Sequence, residues 1–219
     1  MILRKPSIEY LDGNNKGLSL VELAGRTCYK SEDKITEDSC ESFTRKLLNC
    51  TPPHEAMFEF GWLAYRAICN RGVTHELVRH RLFSFAQEST RYVNYKNGVE
   101  FIIPPQLYDK ISIGGYEMPV SGFNFDDEIH NIWLKNKLRS ELDYKDLILS
   151  GWTPQEARDS LPIALKTEIV FAGNYRQWRN FFSLRTSKKS HPQMVEIASL
   201  ILSDAVNRVP ILFDEYKNV

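Results

Sequence analysis

FEFGWLAYRAIC, Phe58 to Cys69, is the stretch that decides the fold class. Its aromatics at 58, 60 and 62 recur with period two, and further on both faces turn apolar. Such a run, ended by Gly72, reads as a central strand. A second run of the same kind, IALKTEIVFAG over residues 163–173, reads as another long strand. Between and around them lie helix signals, so strands separated by helices predict an α/β domain of the α+β type.

Upstream, Leu18, Leu20, Val21, Leu23 and Ala24 predict a helix over residues 18–29, and residues 37–49 predict a second before Thr51-Pro52-Pro53 breaks the chain. Downstream, Val73 to Arg81 predicts a helix carrying Arg79, His80 and Arg81, and residues 92–103 a strand stopped by Pro104-Pro105. Residues 109–124, with three glycines and a proline, read as a loose stretch. Ile129, Ile132, Trp133, Leu138, Leu142 and Leu147 predict a long helix over 125–150. Thr153-Pro154-Gln155-Glu156 combines an N-cap, a first-turn proline and a capping-box glutamate, and the helix it starts stops before Pro162. Residues 174–185 and 192–209 complete the helices.

The chain of 219 residues is long enough for one sizeable core, which predicts a single domain over 1–219. Lys+Arg and Asp+Glu are both 28, and this zero balance argues against a general nucleic-acid binder. The four cysteines, Cys28, Cys40, Cys50 and Cys69, form no CxxC and have no histidine at zinc-finger spacing. They read as reduced thiols of a cytoplasmic protein, with no metal site. The N-terminus turns polar too soon for a signal peptide, and no apolar run approaches the ~20 residues a membrane span needs.

One stretch concentrates chemistry: RHRLFSFAQESTRY, residues 79–92. It holds three arginines, a histidine and two serines. Arginine's planar fork stays charged and suits phosphate oxygens. A cluster this dense in a chain without basic excess points to one discrete polyanion site. On a helix, Arg79 and Arg81 would diverge by roughly 200° and serve different groups. Ser89 and Arg91, if extended, would share a face and clasp one phosphate. Ser89 lacks an evident acid partner for a nucleophilic role.

Arg-His-Arg, seven residues and then Ser, followed by Arg91-Tyr92, resembles the signature of the flavin-dependent thymidylate synthases. The resemblance covers most of the chain. It implies a central, mainly antiparallel sheet flanked by helices, without a Rossmann subdomain; accordingly the sequence has no GxGxxG. It implies reductive methylation of dUMP to dTMP, with carbon from methylenetetrahydrofolate and hydride from FAD that NADPH reduces. It also implies a homotetramer with active sites shared among subunits, and neither nucleic-acid nor membrane partners.

By this resemblance FAD contacts fall to His54, Arg79, His80, Arg81, Gln87, Asn174, Arg176 and Asn180. Contacts to dUMP fall to Glu76, Arg79, Gln87, Glu88, Ser89, Arg91, Arg158 and Arg185, with Arg158 reaching the nucleotide of a neighbouring subunit. The family pattern departs at Ala56, where a hydroxyl is usual, at Phe60, where a histidine is usual, and at Glu76, where glutamine is common. Trp178, Phe181, Phe182 and Arg185 lie on one helical stripe, which puts an arginine at the end of an apolar face. The resemblance makes Arg185 the catalytic donor at the pyrimidine edge, with His54, Arg79 and Gln87 as substitutes for that role. Two other readings of the sequence are a nucleotide- or RNA-binding module built on the arginine cluster and a non-catalytic family member. A bound flavin chromophore separates the enzyme from both.

Overall fold

The structure, a computed structural model, describes residues 1–116 and 128–218. The chain forms two compact units, one made of Met1–Ser7, Ile68–Leu77 and Gln87–Ile169, the other of Ile8–Ala67, Val78–Ala86 and Val170–Val219. The fold is mixed α/β with antiparallel sheets flanked by helices, as expected. Among the described residues no helix is long and apolar enough to cross a membrane.

In the first unit β1 (Ile2–Arg4) pairs in parallel with β5 (Glu100–Ile102) and antiparallel with β6 (Gly114–Gly115). Leu3 and Phe101 are fully buried partners in that register. They pack with Leu134, Leu138 and Tyr144 of α4 (Ile129–Leu149). The expected strand over 92–103 shortens to β5. Tyr92 and Val93 both donate their N–H to Ser89 O, at 3.1 and 3.0 Å, and Gly98 N–H returns to Tyr95 O at 2.9 Å. Gly98 has φ +140°, a conformation that L side chains rarely adopt. Local turns therefore absorb hydrogen bonds that a strand would have used. Of the stretch expected to be loose, Gly114–Gly115 is a short strand, and residues 117–124 lie outside the described residues. So does the predicted start of the long helix at 125–127.

The second sheet has the order β2-β3-β7-β4, with β2 (Ser7–Gly13), β3 (Trp62–Asn70), β4 (Ser84–Gln87) and β7 (Lys166–Asn174) mainly in the second unit. In this unit α1 (Gly17–Thr27) and α2 (Ser39–Leu48) match the first two helical segments expected. The strand expected from Phe58 begins only at Trp62, because Glu55–Phe60 is a 3-10 turn. The period-two aromatics misled: Phe58 is fully buried, while Phe60 is 53% exposed. Gly61 then allows a close approach, since a Cβ there would sit 1.9 Å from the Tyr175 ring.

The helix expected over 73–81 is α3 (Arg71–Leu77) and ends before the Arg-His-Arg triplet. Asn70 caps it, its Oδ1 accepting from Val73 N–H at 2.8 Å. His80 instead closes a turn, its carbonyl accepting from Phe83 N–H at 3.0 Å. Phe83 drives this departure by inserting among Trp178, Phe171 and Phe181, with ring centroids 4.8, 6.0 and 6.1 Å away. Burial of one aromatic outweighs the helical pattern of a short segment. Trp178, Phe181 and Phe182 belong to α6 (Tyr175–Arg185) and are at most 1% exposed. Then follow α7 (Pro192–Arg208) and α8 (Pro210–Phe213). In the first unit the capping box at Thr153 and Glu156 starts α5 (Pro154–Ala157), which gives way to a 3-10 turn over Arg158–Ser160.

Gly173 of β7 leaves the space that Phe83 fills, since a Cβ there would stand 2.5 Å from its ring. The ring is wedged against Trp178, so it cannot swing away cheaply. Gly173→Ala should therefore destabilise the protein by about 1–3 kcal/mol in denaturant unfolding, the usual cost of overpacking. Unchanged stability would show that Phe83 is not tightly held.

Candidate active site

In the second unit the Arg-His-Arg triplet sits on the turn that Phe83 anchors. Residues alternate there as exposed Arg79, buried His80 and exposed Arg81. The divergence argued from a helix does not apply, but the two arginines still flank a histidine that points inward. His80 stacks edge-on against Phe181 at 5.2 Å, and its Nε2 accepts a hydrogen bond from Arg185 Nε at 3.0 Å. Burial, and then the charge of Arg185, push the imidazole down to about 4. At neutral pH His80 is uncharged, with its proton on Nδ1. The signature motif and the arginine ending the aromatic stripe, 105 residues apart in sequence, are thus directly bonded. Among the described residues neither Arg79 nor Arg81 makes a hydrogen bond or ion pair to protein.

The other candidate flavin residues of this unit surround α6 and the turn before β3. His54 and Ala56 border a mainly apolar cleft of about 610 Å³, together with Tyr29, Met57 and Arg176. Ala56 offers that cleft only a methyl group and its backbone. Arg176 donates from Nη1 to Glu59 at 2.7 Å. Asn174 caps α6, its Oδ1 accepting from Gln177 N–H at 2.9 Å, so its amide NH2 is the group left for a ligand. Asn180 is exposed on the same helix. The neighbouring Arg179 is structural: it is buried, bonds Glu55 at 3.1 Å and Glu215 at 2.6 Å, and donates to Leu212 O at 2.8 Å.

The first unit gathers the residues expected at the nucleotide. Arg158, Arg71, His75 and Thr90 line a cleft of about 310 Å³. Arg158 Nη1 lies 3.5 Å from Thr90 Oγ1 of its own chain, while Glu156 accepts from the Thr153 hydroxyl at 2.6 Å. Ser89 and Arg91 adjoin Thr90 on a turn rather than an extended strand. Ser89 Oγ accepts from Arg91 N–H at 3.3 Å, and the Arg91 guanidinium lies over the Tyr92 ring at 5.4 Å. Asp159 shares the cleft, yet no carboxylate among the described residues pairs with Arg71, Arg91 or Arg158.

Glu88 is held by Tyr95 Oη at 2.5 Å and Lys166 Nζ at 3.2 Å, so its charge is already neutralised. Gln87 donates from Nε2 to Thr74 and Thr167, at 2.9 and 3.2 Å, which leaves its carbonyl oxygen as the free group. Glu76 is half-buried in the last turn of α3. Sequence reasoning missed Arg71, His75 and Thr90. The i,i+4 spacing of Arg71 and His75 on one helix was the available signal.

The sequence profile described as thymidylate synthase complementing protein matches residues 9–211. A flavin-dependent thymidylate synthase of Corynebacterium aurimucosum is 30% identical over 212 residues, 94% of this chain and 82% of the relative. The chain belongs to the flavin-dependent thymidylate synthase family. The enzyme of that name from Mycobacterium leprae is 28% identical over 98% of this chain and 86% of its own. The same fold occurs in two solved structures. ThyX from Helicobacter pylori with FAD and dUMP has a TM-score of 0.71 and 18% identity, covering 96% of this chain and 98% of that one. The UMP/dUMP methylase PolB from Streptomyces cacaoi, bound with 5-Br UMP, has a TM-score of 0.76 and 21% identity, covering 100% and 98%.

His80 titrates lower in the folded protein than in the unfolded chain, about 4 against 6.5. The unfolded chain therefore binds more protons between those values, and stability falls as pH is lowered through that window. His80→Gln keeps an acceptor for Arg185 but does not titrate. Its denaturant-unfolding stability should fall less than that of the unmutated protein between about pH 7 and about pH 4.5. Equal pH slopes would contradict a buried neutral histidine.

Proposed function

We propose that this family member methylates dUMP to dTMP, and that the chain acts as one catalytic domain. The observation that carries the reading is the cleft of Arg71, Thr90 and Arg158, where guanidinium groups without carboxylate partners among the described residues converge. Arginines left unpaired beside hydroxyls form a site for a phosphate monoester. Ser89 and Arg91 extend it. Gln87, through its carbonyl oxygen, and Glu76 and Glu88 complete the proposed nucleotide set.

FAD fits the second unit. Arg79 and Arg81 are exposed cations without protein partners among the described residues, which suits a pyrophosphate, and the apolar cleft beside His54 lies within the size range of ring-binding pockets. In this unit His54, Arg79, His80, Arg81, Asn174, Arg176 and Asn180 would hold it. When bound and reduced by NADPH, FAD supplies the hydride, while methylenetetrahydrofolate supplies the carbon. The protein's own work is placement and charge. Arg185, its Nε fixed by His80, presents a planar fork in one orientation to the uracil carbonyl that gains negative charge as C5 attacks. Preorganised donors of this kind are often the largest catalytic contribution. Burial pushes the Cys69 thiol up to about 12, which unsuits it as a thiolate nucleophile. All four cysteines are unpaired, in support of a cytoplasmic location.

Arg79→Ala should weaken FAD binding by about 1.5–3 kcal/mol with the fold intact, read by retained flavin absorbance after dialysis. Full retention would remove Arg79 from the flavin site. Arg185→Lys keeps charge but loses the fork. It should lower single-turnover dTMP formation by roughly 10²–10³ with flavin content kept. Near-normal turnover would move the catalytic role to another donor.

A homotetramer with shared sites is part of the same proposal, with family membership as its support. The cleft of Arg71, Thr90 and Arg158 belongs to one chain, so mixing inactive Arg158→Ala and Arg91→Ala subunits should restore no activity. Recovery, with subunit exchange verified, would show instead that Arg158 serves the nucleotide of a neighbouring subunit.

A further inference from the structure

A cleft of about 470 Å³ in the second unit contains none of the residues assigned above. Its floor is the first turn of α1. Lys16, the residue before that helix, makes no side-chain cap. Gly17 N–H returns to Asn14 O at 2.8 Å and Leu20 N–H to Lys16 O at 2.9 Å, but among the described residues the N–H groups of Leu18 and Ser19 make no hydrogen bond. A helix of 11 residues thus presents two free donors at its positive end.

A second, independent feature faces the same space. Tyr175 lines the cleft and is 2% exposed, yet its hydroxyl has no hydrogen-bond partner among the described residues. Residue 17 must be glycine for that hydroxyl to reach the helix end, because a Cβ there would sit 2.2 Å from Tyr175 Oη. Burial pushes the Tyr175 hydroxyl up to about 12, so it remains a donor at neutral pH. The exposed Ser19, which lines the cleft, adds a hydroxyl. Arg208 lines the cleft but pairs with Asp204 at 2.6 and 3.1 Å, so these two charges cancel. Asp12, the nearest other acid in sequence, accepts from Gly13 N–H at 2.8 Å and does not line the cleft.

Donors converge here without an acceptor-only partner. We propose that this cleft binds an oxyanion, held by the Leu18 and Ser19 N–H groups and the Tyr175 hydroxyl, either a phosphate monoester or a carboxylate. It is separate from the proposed flavin and nucleotide residues, so its existence does not depend on the proposed reaction.

The test is amide NMR of the full-length protein during titration with inorganic phosphate and, separately, acetate at constant ionic strength. The Leu18 and Ser19 amides should shift saturably. Tighter binding of phosphate identifies the phosphate class, and tighter binding of acetate the carboxylate class. Tyr175→Phe should weaken binding roughly tenfold or more, as loss of a hydrogen bond to a charged group does. Its unfolding midpoint should stay unchanged, because the deleted hydroxyl has no partner in the fold. Absence of saturable shifts with both anions, or equal affinity in Tyr175→Phe, would overturn the proposal.

Discussion

The hydrogen bond from Arg185 Nε to His80 Nε2 is the interaction on which the flavin-side half of the candidate site depends. It joins the turn carrying the signature motif to the last turn of α6. It also works in only one protonation state. A histidine beside a guanidinium can accept from it only while neutral, and burial against Phe181 and Phe83 keeps it so. The aromatic cluster is therefore more than packing: it sets the charge of the residue that orients Arg185. Gly173 supports this arrangement one step further out, because only a residue without a Cβ lets Phe83 close the turn.

The same arrangement explains why the motif contains arginine on both sides of histidine. The middle residue turns inward, and its two neighbours are forced outward with no carboxylate among the described residues to neutralise them. Elsewhere on this unit arginines are spent on structure, as Arg179 is with Glu55 and Glu215. The contrast separates cations kept for a ligand from cations used by the fold. In the first unit the contrast recurs. Lys166 is consumed by Glu88 and Glu168, while Arg71, Arg91 and Arg158 are not paired with acids among the described residues.

Much of this was legible in the sequence. The helical stripe of Trp178, Phe181, Phe182 and Arg185 predicted an arginine at the rim of an aromatic core, and it stands there. The capping box at Thr153 and Glu156 announced its helix start. Two of the misses share one physical cause, while the strand expected over 92–103 yields to local turns. Phe58 and Phe60 alternate like strand residues, and Val73 to Arg81 is patterned like a helix, yet both segments end where one distant ring demands space: Tyr175 over Gly61, and Phe83 against Gly173. Local periodicity carries no record of such long-range contacts. Arg71 and Thr90 escaped notice for a related reason, since only the folded chain brings them beside Arg158.

The most direct test of this account is the tautomer of His80, read by nitrogen NMR of protein labelled at histidine. The account predicts an unprotonated, hydrogen-bond-accepting Nε2 and a protonated Nδ1 at pH 7, unchanged down to about pH 5, because folding holds the imidazole near 4. Protonation of both nitrogens near pH 6, or a proton on Nε2 at pH 7, would contradict it. Arg185 could then not donate to His80, and the motif and its arginine would not form one device.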